Sequence, residues 1–135
     1  MRDSRELKVW RKGHQLTLDV YGATAKFPRE ETYGLTAQMR RSCTSIPANA
    51  AEVCSRSGDA EVAQFMQIAI GSASELEYHL LLVRDLGLLD TQAHERLSER
   101  TKEVKRMLST FMNKLRATQP VSRVADQSVS KKLTS

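Results

Sequence analysis

The chain has 135 residues, 40% hydrophobic and 27% charged, with six glycines, three prolines and 5% aromatics. That suits one globular domain able to bury a core and is too poor in turn residues for a β-rich or low-complexity chain. The net charge of +5 is uneven: seven Lys/Arg against four Asp/Glu over residues 1–30, four against eight over 31–94, and ten against four over 95–135. Basic ends around an acidic middle suit two kinds of partner, a nucleic acid or the unlike face of a second copy.

The opening residues are charged throughout, with no apolar run of the kind a secretory signal needs. No stretch approaches the roughly 18 apolar residues of a membrane span, so the chain reads as cytoplasmic, with no membrane partner. Val9, Leu16, Val20, Ala23 and Phe27 recur at helical spacing, with Gly13 in the gap. Trp10, His14, Leu18, Tyr21 and Ala25 widen that stripe, which predicts a broadly buried first helix, His14 packed and hydrogen-bonded within it. Pro28 ends it, and residues 28–34 read as a loop. In the second segment Leu35, Met39, Cys43, Ile46, Ala50 and Val53 mark the apolar face, and the interior Pro47 predicts a kink. Cys43 and Cys54 on one helix stand about 16 Å apart at 1.5 Å per residue. A disulfide needs about 7 Å, so both are read as reduced, packed thiols. The helix frays through Ser55–Gly58, and Asp59 is expected to cap the third.

The third segment is the most regular: Val62, Met66, Ala69, Ala73, Leu76, Leu80 and Val83 alternate +4 and +3 without a break. Gly87 sits where a left-handed C-terminal residue belongs, and Asp90 or Thr91 opens the fourth helix. There Ala93, Leu97, Thr101, Val104, Leu108, Phe111 and Leu115 form the stripe, with Glu99–Lys102 and Glu103–Arg106 as i,i+3 pairs on the wet side. No segment alternates with period two. The reading is an all-α, antiparallel up-down-up-down four-helix bundle over residues 1–117, helix 2 kinked at Pro47. A polar tail over 118–135 is expected to be disordered or ordered by a partner.

Catalytic signatures are missing. A ferritin-like metal site needs Glu-x-x-His pairs, whereas His79 follows Glu75 by four residues and Leu76 stands where a glutamate would be needed. There is no Gly-x-Ser-x-Gly elbow and no phosphate-binding Gly-rich loop. The chain is therefore read as non-catalytic, with no cofactor. The feature that stands out is a polar stripe on the second helix, Gln38, Arg41, Ser45, Asn49 and Glu52, which with Glu75 on the third suggests a subunit interface.

Those residues also carry a family pattern. Phe27-Pro28 through Glu31, Tyr33-Gly34-Leu35 with Gln38, Arg40-Arg41, Ser45-Ile46-Pro47-Ala48-Asn49 with Ala51-Glu52, and Ala69-Ile70-Gly71-Ser72 with Glu75-Leu76-Glu77 occur in order. Leu7-Lys8-Val9-Trp10 precedes them. Over about residues 7–117 the chain resembles the four-helix-bundle proteins encoded in intervening sequences of bacterial 23S ribosomal RNA genes. Ala50 and Val53 stand where that pattern usually has isoleucine and glycine. The resemblance implies a small antiparallel bundle assembling as a homopentamer, related to the nucleic-acid-binding accessory subunit of diversity-generating retroelements. It supplies no enzymatic activity.

Two functions follow as expectations. One is an oligomeric scaffold that binds RNA or DNA through a basic face of Lys8, Arg11, Lys12, Arg100, Lys102, Lys105 and Arg106, with Lys131 and Lys132 in the tail. The other is a structural module that recruits a protein partner and has no nucleic-acid role.

Overall fold

The computed structural model describes residues 4–55 and 58–117, and the side chains from residue 8 onward within them. The expected tail at 118–135, its two lysines, and Arg56 and Ser57 of the fray lie outside the described residues. Four helices form the fold: α1 (Ser4–Thr24), α2 (Ala37–Ser55), α3 (Asp59–Asp85) and α4 (Thr91–Ala117). Among the described residues there is no strand. Each helix packs on the next, and α4 returns to α1, the loosest of the four packings.

The apolar stripes become the core. All seven positions on α3 are buried, together with Val9, Leu16 and Val20 of α1, Met39, Cys43, Ile46, Ala50 and Val53 of α2, and Leu97, Val104, Leu108 and Met112 of α4. The polar residues among them return their hydroxyls to their own helix. Thr24 donates to the Val20 carbonyl at 2.8 Å, Ser42 to Gln38 at 2.9 Å and Thr101 to Leu97 at 2.7 Å. This satisfies groups that would be costly to bury unpaired. A gap of about 10 Å³ lies among Ala50, Val9, Val53, Met66 and Phe111.

The wide buried face expected of α1 is not found. Trp10, His14, Leu18, Tyr21 and Ala25 are exposed. With only α2 and α4 as neighbours, α1 can cover no more than the stripe between them. His14 is not packed in the core; it stacks on Trp10 with ring centroids 5.2 Å apart. Tyr21 lies beneath the Arg40 guanidinium, 4.4 Å from its ring centre. Arg40 Nε also donates to the Thr24 hydroxyl at 2.9 Å. One cation thus ties α2 to the C-terminal end of α1, where the helix dipole favours positive charge.

Pro47 lies buried within α2 and the helix runs on through it. A proline cannot donate to the carbonyl four residues back, here that of Cys43. The Thr17 hydroxyl of α1 does so instead at 3.0 Å, sharing its single proton with the Gly13 carbonyl at 2.8 Å. The helices come this close because residue 13 has no side chain. A Cβ there would lie 3.1 Å from Ile46 Cγ2 and 3.4 Å from the Pro47 nitrogen.

The connections depart from the sequence reading in two places. Residues 28–34 are not an irregular loop. A 3-10 turn over Arg29–Glu31 and a π turn over Thr32–Thr36 lead into α2, with Leu35 and Thr36 buried and the bend taken at Gly34 (φ −106°, ψ −106°). The α3 cap is Gly58 rather than Asp59, which stands inside the first turn with Glu61. There both carboxylates favour the positive end of the helix dipole. The α3–α4 turn follows its signal. Gly87 is left-handed at φ 72°, its N–H reaching the Arg84 carbonyl and that of Leu88 the Val83 carbonyl, the paired C-terminal bonds that a glycine allows. Asp90 then caps α4, its carboxylate accepting the Ala93 N–H at 2.8 Å.

Candidate functional site

Along the α1–α4 seam the packing leaves a furrow. Lys8, Lys12, Gln15, Asp19 and Gly22 on α1, with Lys26 just past its end, follow a +4/+3 rhythm, each one residue before a position of the core stripe. On α4, Arg96, Arg100, Glu103, Met107, Thr110 and Lys114 do the same. Those two rows are the banks of the furrow.

Three hollows mark its course. One of about 550 Å³ lies at the end formed by the α3–α4 turn, with an apolar lining of Leu18, Ala23, Leu88 and Leu89 and the cations Lys26 and Arg96. A central one of about 200 Å³ holds Lys12 and Arg100. One of about 410 Å³ lies at the other end, where Lys8, Arg106 and Lys114 surround Val9, Met107 and Phe111.

Seven cations therefore line the furrow, against three acids, and the acids are already engaged. Asp19 pairs with Arg100 and accepts a hydrogen bond from Gln15 at 3.1 Å. Glu103 pairs with Lys12 at 2.9 Å. The Lys12 hydrogen bond, aided by the charges of Lys12, Arg106 and Lys8, outweighs burial and holds the Glu103 carboxyl below its usual range. Asp90 is the α4 cap. Among the described residues, Lys8, Lys26, Arg96, Arg106 and Lys114 make no ion pair. The two cross-seam pairs are partly exposed, so each contributes about 0–1 kcal/mol; they align the banks more than they hold the fold.

Of the seven basic residues singled out in the sequence, Lys8, Lys12, Arg100 and Arg106 fall on the furrow. Arg11 and Lys102 are exposed and line none of its three hollows. Lys105 turns to the other side of α4 and pairs with Glu77 of α3 at 2.8 Å. Glu103, expected to pair with Arg106 along α4, reaches across to Lys12 instead. Lys26, Arg96 and Lys114 were missed.

The polar stripe of α2 lies at the α2–α3 seam. Ser72 of α3 donates to the Ser45 hydroxyl at 2.8 Å, and Asn49 Nδ2 donates to the Ser45 carbonyl at 2.7 Å. Arg41 reaches Glu75 within the same chain at 3.8 Å. Gln38 is exposed and Glu52 half-buried. His79 Nε2 stands 4.0 Å from Glu75, while its buried Nδ1 has no hydrogen-bond partner. Burial lowers the His79 pKa from 6.5, the Glu75 charge opposes that shift, and Arg41 adds to it. Beyond the seam, α3 presents Ile68, Tyr78 and Leu81 to solvent, with Leu86 at its C-cap.

Cys43 is buried and Cys54 half-buried, both unbridged. Burial pushes the Cys43 thiol up to about 11. No helix among the described residues is long and apolar enough to cross a membrane.

Comparison with known proteins gives one family. The model of the 23S rRNA-intervening sequence proteins matches residues 5–110. A crystal structure of a protein of unknown function, from the S23 ribosomal protein family of Bacteroides thetaiotaomicron, is similar with a TM-score of 0.72. The match covers 81% of this chain and 98% of that one at 22% identity, a likeness of fold. No curated protein matches.

Proposed function

The chain belongs to the 23S rRNA-intervening sequence protein family, and we propose that it is a non-catalytic cytoplasmic bundle that binds RNA or DNA through the α1–α4 furrow. The observation that carries this reading is the row of cations with its acids already committed. Among the described residues, a phosphate chain laid there meets five unpaired cations and no unpaired carboxylate. The helical part of the row, from Lys8 to Gly22, spans about 21 Å at 1.5 Å per residue.

Binding should fall steeply with salt. If all five unpaired cations touch phosphates, the log–log slope is about −3.5 on a single strand, from roughly 0.7 per phosphate neutralised. Replacing Lys8, Arg106 and Lys114 together by Gln should weaken binding to every sequence alike and flatten that slope. The control is Arg11→Gln with Lys102→Gln, which removes the same kind of charge off the furrow. Equal losses in both variants, or no binding by the parent at low salt, would sink the reading.

The same proposal includes self-assembly, with a pentamer as the expected state. The exposed apolar face of α3 supports association, because apolar groups turned to solvent in groups mark interfaces. Light scattering at tens of micromolar tests it; a monomer refutes it. That face also favours the second reading, a module that docks a protein partner and ignores nucleic acid.

A further inference from the structure

We propose that the furrow takes a single strand in preference to a duplex, with phosphates along the cation rows and unstacked bases entering the two end hollows. This rests on the polyanion reading and makes it specific. The argument is one of width and lining. Two packed helices have axes roughly 8–10 Å apart, so the channel between them is narrower than the major groove of one duplex, about 12 Å. A double helix can only ride on the banks, whereas one phosphate chain can lie between them.

The end hollows supply what a duplex cannot use. One is lined by Leu18, Ala23, Leu88 and Leu89, with Lys26 and Arg96 and the already engaged Asp19 and Asp90 beside them. The other is floored by Val9, Met107 and Phe111 with Lys8, Arg106 and Lys114. Apolar floor next to free cation is the lining that a base and its own phosphate need together, since bases stack on apolar and aromatic surface while the backbone follows positive charge.

The test uses the full chain and three labelled probes followed by anisotropy at low salt: a mixed-sequence single-stranded RNA of about ten nucleotides, the same sequence as a duplex, and a base-free polyphosphate of similar charge. The single strand should bind about tenfold more tightly than either, the share that base contacts add. Gly22→Leu narrows the first hollow; a Cβ at that position meets nothing within 4 Å, so the helix tolerates it. Leu18→Ser, at an exposed position, removes apolar floor without touching the core. Either variant should lose most of the single-strand advantage over the duplex and the polyphosphate. A duplex or polyphosphate that binds as tightly as the single strand overturns this inference and leaves the polyanion reading standing. So do variants that bind the single strand like the parent. No binding by any probe overturns both.

Discussion

Thr17→Val is the sharpest probe of how this bundle is held. The substitution keeps shape and deletes the hydroxyl that donates to the Cys43 carbonyl, the acceptor that Pro47 leaves without its usual helical donor. A buried carbonyl stripped of its donor costs about 1–3 kcal/mol. For a chain of this length each kcal/mol lowers Tm by roughly 3–5 °C. The reasoning makes a second demand. In a Pro47→Ala background the new N–H at residue 47 can donate to Cys43, so the Thr17 hydroxyl is no longer needed there. Thr17→Val should then cost well under half as much, a coupling of about 1–2 kcal/mol, within the range found for groups sharing one network. The cycle is read by far-UV circular dichroism in urea and on heating. All four proteins are held at one concentration, because association raises apparent stability by mass action. Equal costs in both backgrounds would refute the account of how α2 accommodates its proline.

Gly13→Ala should destabilise by about 1 kcal/mol or more, because overpacking against Ile46 and Pro47 outweighs the helix propensity gained. Gly22→Ala, with open space around its Cβ, should stabilise by about 0.5–1 kcal/mol in the same melts. His79, its pKa lowered chiefly by burial, takes up its proton less readily folded than unfolded. Stability is therefore full above its ordinary pKa of 6.5 and falls as pH drops below that value. His79→Gln should remove that share of the acid slope in urea titrations, and an unchanged slope would refute the assignment. With a thiol reagent at pH 8, half-buried Cys54 should react first and Cys43 only as the chain unfolds. Equal native-state rates would show the core to be open at Cys43.

The fold was legible wherever the sequence repeats its own period. On α3 every stripe residue is buried, because a +4/+3 alternation over six turns leaves only one face that can carry them. On α1 periodicity gave the right side but not the width. Trp10, Leu18 and Tyr21 are apolar and in phase, yet how much of a helix is covered depends on how closely its neighbours pack, and α4 packs most loosely on α1. What no local pattern states is that residue 13 must be glycine because residue 47 is proline. That is a pairing across 34 positions, visible only once the helices touch.

The candidate site shows a different gap. Charges on α1 and α4 were gathered by residue type, and half the guess follows from that: Lys105 is basic and faces Glu77 on the far side, while Lys26 and Lys114 are basic and face the furrow. The missing quantity was phase. On both helices the furrow bank is the residue just before each core position, and both stripes were already readable. Lys8 precedes Val9, Lys26 precedes Phe27, Arg96 precedes Leu97 and Lys114 precedes Leu115. The residues just after them, such as Trp10, Tyr21 and Lys105, face other ways. A side chain one position before a core residue is turned about 100° to one side of it. When α1 and α4 run in opposite directions, as the Lys12–Glu103 and Asp19–Arg100 pairs require, that same offset turns both rows toward each other. Lys8, Lys12 and Lys26 thus meet Arg96, Arg100 and Lys114 along one line in space, although 69 residues lie between Lys26 and Arg96 and a net acidic middle separates them.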